Sequence, residues 1–332
     1  MLSLLPMSLS EDYRAIHESA VVGALQARRQ IAVAGRDRAT FLHGLLTNDI
    51  TALQPGTGCY AAWLTPQGRM LTDLHVLESG TLILLDVPDD QHVATLERLD
   101  QFLFSEDVQL ASLSDDLAGV WIHGPAAAGL LEGVLDGVTG LAGWADYQLA
   151  NSTFGDAPVV VARLDQLGVP GFCVYIAPAA RASFEAALET SHVRRVSPEV
   201  LEAARIEAGY PLFGIDMTSD TIPLEAGIEG RGISLTKGCY VGQEVIIRVL
   251  HRGHGRVAKK LVGLRPKDAV RPGDRIVASG KDVGVVTSAA ISPTRGPVAL
   301  GYVHRDFVEP GTEVHVQHDG AEVTATVTAR PM

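Results

Sequence analysis

The chain has 332 residues, 46% hydrophobic and 20% charged, with a formal net charge of −12. That length exceeds one small core and suits two or three domains, and the composition is that of a globular rather than a disordered protein. No apolar run approaches the roughly 20 residues of a membrane span, the start (Met1-Leu2-Ser3-Leu4-Leu5-Pro6-Met7) lacks the basic residues of a signal peptide, and three scattered cysteines (Cys59, Cys173, Cys239) form no metal cage. These features predict a cytoplasmic protein with no membrane and no metal site.

Taken in order, residues 11–29 read as a helix and Ile31–Ala34 as a short strand closed by Gly35. Asp37 then caps a helix carrying Phe41, Leu42, Leu45 and Leu46. Cys59–Leu64, Arg69–Leu77 and Thr81–Val87 read as strands separated by turns at Gln67-Gly68 and Ser79-Gly80. An amphipathic helix with Val93, Leu96, Leu99 and Leu103 on one side follows, and Val108–Leu113 returns as a strand. A second block repeats the texture: strand 120–123, helix 125–135 with Pro at its first position, strands 159–164 and 171–176, helix 178–188, and a helix opened by Ser197-Pro198-Glu199 that runs to about Ala208 and is stopped by Gly209. Strands followed by helices, without regular βαβ alternation, indicate an α+β class. From about Ala258 short apolar strands alternate with Pro/Gly turns, the pattern of a small antiparallel barrel. The expected domains are 1–117, 118–256 and 257–332, with residues 195–256 either in the second domain or returning to the first.

Charge is unevenly spread. Nine Lys or Arg lie between Arg248 and Arg275 against Asp268 and Asp274. This run suits a polyanion such as a polyglutamate tail or RNA, the latter with His251 and His254 alongside; a strand pair with a solvated outer face accounts for it equally well.

The densest motif is Lys237-Gly238-Cys239-Tyr240-Val241-Gly242-Gln243-Glu244. A helix starting near Tyr240 would favour a thiolate at Cys239, and Lys237 would add to that. The alternative is a small buried residue behind a glycine turn.

Three further segments precede this octapeptide: Phe41 to Asp49 through Thr47-Asn48-Asp49, Tyr60 to Asp73 through Gly68-Arg69-Met70-Leu71-Thr72-Asp73, and Arg205-Ile206-Glu207-Ala208-Gly209. With Pro223-Leu224-Glu225-Ala226 and the octapeptide, their order resembles the folate-binding YgfZ family, relatives of the T-protein (aminomethyltransferase) of the glycine cleavage system. The resemblance implies two α+β domains and a C-terminal antiparallel β-barrel around a central opening that binds tetrahydrofolate. It implies that Asp73 assists one-carbon transfer beside the folate, that Tyr60, Asn48 and Arg205 bind the cofactor, and that Cys239 is a functional thiol. Chemically, a carboxylate can hold the proton that passes when a one-carbon unit joins or leaves a secondary amine, and an arginine can pair with a carboxylate in a planar fork. Asp73 facing solvent and Arg205 in a helical ion pair with Glu202 or Glu207 are the plainer alternatives.

The chain also departs from the T-protein pattern. Cys173 in Gly171-Phe172-Cys173 stands where T-proteins carry a pterin-pairing glutamate, and Gln166 stands for a pocket tyrosine. Losing that carboxylate costs about 1.5–3 kcal/mol of binding. Three functions are therefore expected in order: a folate-binding protein that supports iron–sulfur proteins or their assembly factors, a folate-dependent aminomethyltransferase, and an RNA-binding protein related to tRNA modification.

Overall fold

The structure is a computed structural model that describes residues 7–191, 193–251 and 255–332. Helix α1 (Met7–Glu18) stops well short of Arg29, because Val21 and Val22 form strand β1 (Val21–Val22). The first domain holds β2 (Arg28–Ala34), α2 (Arg38–Leu45), β3 (Thr57–Leu64), β4 (Met70–Glu78), β5 (Ile83–Pro88), α3 (His92–Gln101) and β6 (Gln109–Ser112). Its five strands pair antiparallel in the order β3-β4-β5-β2-β6. Asp37 precedes α2, but its side chain makes no cap; its Oδ2 accepts from the Asp107 N–H instead. Val93, expected on the buried side of α3, is 64% exposed, and His92, Thr95 and Leu99 face inward.

The second domain contains β7 (Ala118–His123), α4 (Ala127–Val134), β8 (Leu149–Phe154), β9 (Ala157–Arg163), β10 (Gly171–Ile176), α5 (Pro178–Thr190) and β11 (Arg194–Arg195). Its sheet runs β11-β1-β7-β10-β9-β8, so the N-terminal β1 belongs here and not with residues 24–117. Helix α6 (Pro198–Ala208) follows, with Pro at its start and Gly209 in the left-handed region at φ +68° closing it. Its apolar face packs on α1, and Ile206 packs against barrel side chains.

Helices α7 (Pro223–Ala226), α8 (Glu229–Gly232) and α9 (Gln243–His251) return the chain to the first sheet. Leu224, Ala226, Ile228, Tyr240 and Ile246 share a core with Tyr60, Ala62, Leu64 and Met70. Gly232 permits the approach, since a Cβ there would meet the Tyr60 ring at 3.0 Å.

The last strands are β12 (Lys259–Pro266), β13 (Arg275–Ala278), β14 (Lys281–Ser292), β15 (Gly296–His304), β16 (Glu313–His318) and β17 (Ala321–Thr328). They close as an antiparallel barrel in the order β12-β15-β14-β13-β16-β17, around Leu264, Ile276, Val303, Val314 and Val316. Closure leaves no unpaired sheet edge. The described helices are all too short to cross a membrane.

Side-chain alternation explains how the first two domains meet. Successive strand residues face opposite sides. On β4, Leu74 and Val76 enter the first domain's own core, while Leu77 turns to the other face. That other face also carries Leu84 and meets Trp121, Cys173 and Tyr175 of the second sheet. Within this apolar contact the first sheet inserts Arg28, Gln30, Asp73, His75 and Asp86.

Candidate functional site

Asp73 is 2% exposed, so its carboxylate depends on protein partners. The Tyr60 hydroxyl donates to Asp73 Oδ2 at 3.0 Å, and Arg28 Nη1 donates to Oδ1 at 3.3 Å. Burial and the neighbouring Asp73 carboxylate push the Tyr60 phenol well up, so it is a fixed donor. Arg28 binds Asp86 more closely, through Nε to Oδ2 at 2.7 Å and Nη2 to the backbone oxygen at 2.7 Å. Asp86 also accepts from Gln30 Nε2 at 2.8 Å and lies 2.9 Å from His75 Nδ1. Burial lowers the His75 pKa, so the ring is neutral with its proton on Nδ1 toward Asp86. Burial acts to raise the Asp86 pKa, but Arg28 and the donated hydrogen bonds outweigh it and the net shift is downward.

Above Asp73 lies Arg231, its guanidinium carbon 4.4 Å from the Tyr60 ring centroid and 3.9 Å from that of Tyr210. Arg231 Nη2 is buried without a hydrogen-bond partner. Tyr147 and Asp146 complete the group. Tyr147 takes a left-handed backbone at φ +67°, which is strained for a side chain of this size. Asp146 is solvent-accessible yet walled by protein. Desolvation, helped by the Asp165 charge and opposed by backbone N–H donors, pushes its carboxyl up to about 6. Exposure rises from Tyr60 and Asp73 through Tyr210 to Arg231, Tyr147 and Asp146.

Asn48 stands beside this group as a staple. Its Nδ2 donates to Tyr60 O at 2.8 Å and Arg231 O at 3.1 Å, joining the strand that carries one ring to the helix that carries the guanidinium. Thr47 Oγ1 adds a bond to Gly232 O at 2.6 Å.

Arg205 is not brought to Asp73. It is fully buried, and all five of its N–H donors meet protein acceptors: Glu202 twice, Tyr210 O, Asp216 Oδ2 at 2.6 Å and Ser288 Oγ at 2.7 Å. It ties α6 to barrel strand β14 and has no donor left for a ligand. The helical pairing with Glu202 is present, but it is one part of a buried network.

Cys239 is exposed, and neither expected activator is aimed at it. α9 begins only at Gln243, after Gly242 at φ +86°, so the thiol precedes the helix by four residues. Lys237 is 8% exposed and donates to the His43, Leu46 (2.6 Å) and Asn48 (3.0 Å) carbonyls around the C-terminus of α2. Burial lowers its pKa to about 8. Cys173 is fully buried opposite Trp121 across the β10–β7 ladder, with its thiol pushed well up by burial. Cys59 is held to about 12 by the same cause. Gln166 is 5% exposed in the loop after β9.

The basic run is spread over several elements. Arg248 and His251 end α9, Lys259, Lys260 and Arg265 lie along β12, and Arg275 starts β13. Arg271 pairs with Asp319 at 3.3 Å, and Lys259 Nζ sits 4.8 Å from the Tyr302 ring centroid. Arg256, Lys260 and Arg305 share a cleft of about 540 Å³ with Asp306 and Glu309. Arg252 and His254 lie outside the described residues.

The chain as a whole is similar to known proteins. Residues 5–237 match the GCVT N-terminal domain, and residues 259–332 match the glycine cleavage T-protein C-terminal barrel domain. The chain belongs to the glycine cleavage T-protein family. An aminomethyltransferase of Saccharopolyspora erythraea is 31% identical over 96% of this chain and 88% of its own length. A probable aminomethyltransferase of Natronomonas pharaonis is 32% identical over 98% and 90%. The crystal structure of glycine cleavage system aminomethyltransferase T from Bartonella henselae superposes with a TM-score of 0.87 at 25% identity, covering 98% of this chain and 90% of that one. The two α+β domains and closed barrel are thus those of the T-protein fold.

Sequence reasoning did not single out Arg28, His75, Asp86, Asp146, Tyr147, Tyr210 and Arg231, which the structure gathers around Asp73 and Tyr60. One signal was available. Arg28/Gln30 on β2 and Asp73/His75 on β4 recur at a spacing of two within otherwise apolar strands, which puts each pair on one face.

Proposed function

We propose that the protein binds tetrahydrofolate beside Asp73 and takes part in folate-dependent aminomethyl transfer. The observation that carries this reading is the buried Asp73 carboxylate, held by Tyr60 and Arg28 beneath the Arg231–Tyr210 pair. The residues suit such a ligand. Tyr60, Tyr147 and Tyr210 offer rings for stacking a flat heterocycle, and the spare Arg231 Nη2 offers a charge-assisted donor to a carbonyl or carboxylate. Tetrahydrofolate, when bound, supplies the nitrogens that accept the one-carbon unit. Asp73 would hold or pass a proton next to that amine. Tyr60 and Arg28 fix the carboxylate's orientation, and burial excludes water that would compete for the unit. The departures at Cys173 and Gln166 leave this chain without the T-protein's pterin-pairing carboxylate, so its affinity is expected to be weaker.

The test is calorimetry with tetrahydrofolate on wild type, Asp73→Ala and Arg231→Ala, followed by incubation with an aminomethyl-loaded lipoyl carrier. Saturable binding weakened by Arg231→Ala, with methylene-tetrahydrofolate formed by wild type but not by Asp73→Ala, is the expected result. No binding by wild type would reject the reading.

A second reading is favoured by one specific observation, the exposed thiol of Cys239 within an octapeptide that resembles the YgfZ branch. In it, the folate-binding protein supports the assembly or repair of iron–sulfur proteins, and Cys239 meets the partner. Activity of a cluster enzyme in cells lacking this protein, rescued with wild type or Cys239→Ser, tests it. Equal rescue by both removes the thiol from the account.

A further inference from the structure

Arg28 stands between two carboxylates and does not divide itself evenly. The Asp86 carboxylate takes Nε at 2.7 Å, the Asp86 backbone oxygen takes Nη2 at 2.7 Å, and the Asp73 carboxylate takes only Nη1 at the longer 3.3 Å. His75 and Gln30 bring N–H donors to Asp86, at 2.9 and 2.8 Å. All five side chains lie on one face of the first sheet; the second sheet presents Trp121, Cys173 and Tyr175 to them, all uncharged, and Tyr147, just before β8, faces His75 with ring centroids 6.0 Å apart. The other charged or titratable groups near Asp73 are Arg231, Tyr60 and Tyr210. In this water-poor layer a guanidinium leaning toward one carboxylate is a guanidinium withheld from the other.

We infer that Asp86 and His75 are positioning residues that set how firmly Arg28 holds the Asp73 carboxylate. Asp86 draws the cation away from Asp73, and His75 restrains Asp86 by occupying the same Oδ2 that Arg28 Nε uses. The inference deepens the aminomethyl-transfer reading and rests on it for its consequence. An arginine that engages one carboxylate fully leaves its oxygens less available to an incoming proton, and an arginine shared with a second carboxylate does so less.

The two positions make opposite predictions. Asp86→Asn removes the competing charge, so Arg28 turns to Asp73, the Asp73 carboxyl resonance moves with the tighter pairing, and transfer falls about tenfold. His75→Leu removes the restraint, Arg28 moves further toward Asp86, the Asp73 carboxyl resonance moves the opposite way, and transfer rises about threefold. His75→Gln retains an N–H donor and stays near wild type. The measurement is carbon NMR of carboxyl-labelled aspartate in the full-length protein, with the Asp73 resonance assigned by its loss in Asp73→Asn. In the transfer assay, the rate at saturating tetrahydrofolate moves in the same two directions, while tetrahydrofolate affinity changes little.

A resonance that stays put in both variants, or moves the same way in both, overturns the inference. If Asp86→Asn fails to fold, the His75→Leu and His75→Gln pair carries the test alone, and an unmoved resonance in His75→Leu overturns it. A wild type that neither binds tetrahydrofolate nor transfers, with the resonances moving as expected, sinks the functional reading and leaves the network standing. A transferring wild type with unmoved resonances does the reverse.

Discussion

Arg205 and Arg231 are both buried guanidinium groups near Tyr210, and the protein uses them in opposite ways. Arg205 has every donor matched: Asp216 and Glu202 supply charge, while Tyr210 O and Ser288 supply the remaining acceptors. Arg231 rests on two aromatic faces and leaves Nη2 without a partner. A saturated buried arginine is a fastener, because nothing remains for a ligand to bind. An unsaturated one costs stability until something pairs with it. The family motif drew attention to Arg205, yet the spare donor belongs to Arg231.

The sharpest way to break this comparison is at the carboxylate beneath Arg231. Asp73→Asn keeps the shape and a partner for Tyr60, and Arg28 retains Asp86. It should therefore fold, while transfer falls about 10²–10⁴-fold, the usual contribution of a positioned acid or base. Single-turnover rates alongside thermal melts separate the two effects. A melt shifted as far as the rate would reduce Asp73 to a structural pair.

Arg205→Ala should act on stability instead. It strands Asp216 in a fully buried place, and breaking such a pair costs about 3–5 kcal/mol. Denaturant unfolding reads the loss. Tetrahydrofolate affinity of the folded fraction should be unchanged, and a selective loss of affinity would return Arg205 to the binding set. Arg231→Ala should do the converse. It removes an unpaired donor, so stability changes little, whereas affinity falls about tenfold or somewhat more, the range of a hydrogen bond to a charged group. Calorimetry against the same melts decides it.

Most of the fold was legible because it rests on local periodicity. The apolar runs of β3, β4 and β10 between their turn residues, the Pro/Gly spacing of the barrel and the Pro198–Gly209 bracket of α6 all agree with the structure. The early end of α1 was not legible, since Val21 and Val22 take their strand geometry from β7 and β11, about 100 and 170 residues away. The site divides the same way. Asp73 and Tyr60 came from the resemblance, and they meet diagonally across neighbouring strands, where Tyr60 pairs with His75 and Asp73 with Ala62. Arg231 reaches Tyr60 only because Gly232 lets α8 lie against β3, a contact without local signature. Lys237 misled for a related reason. Its sequence neighbour is Cys239, but its spatial partners are three carbonyls at the end of α2.

The smallest effect concerns Asp146, at the exposed edge of the Arg231 group. Its folded pKa, about 6, lies above the ordinary 3.8. The folded state thus binds this proton more tightly than the unfolded state does, and the ionised form is disfavoured on folding. The penalty is absent below pH 4, grows between pH 4 and 6, and is complete above 6. Asp146→Asn should therefore stabilise the protein at pH 7–8 and leave it unchanged near pH 4. Because the group is solvent-accessible, screening holds the gain below about 1 kcal/mol. The comparison between the arginines sharpens here too, since Arg231 is the cation that partly offsets the burial of Asp146. In an Arg231→Ala background the ionised carboxylate loses that support, and the stabilisation by Asp146→Asn at neutral pH should increase. Equal gains in both backgrounds would mean that Arg231 and Asp146 do not interact, and would detach Asp146 from the site.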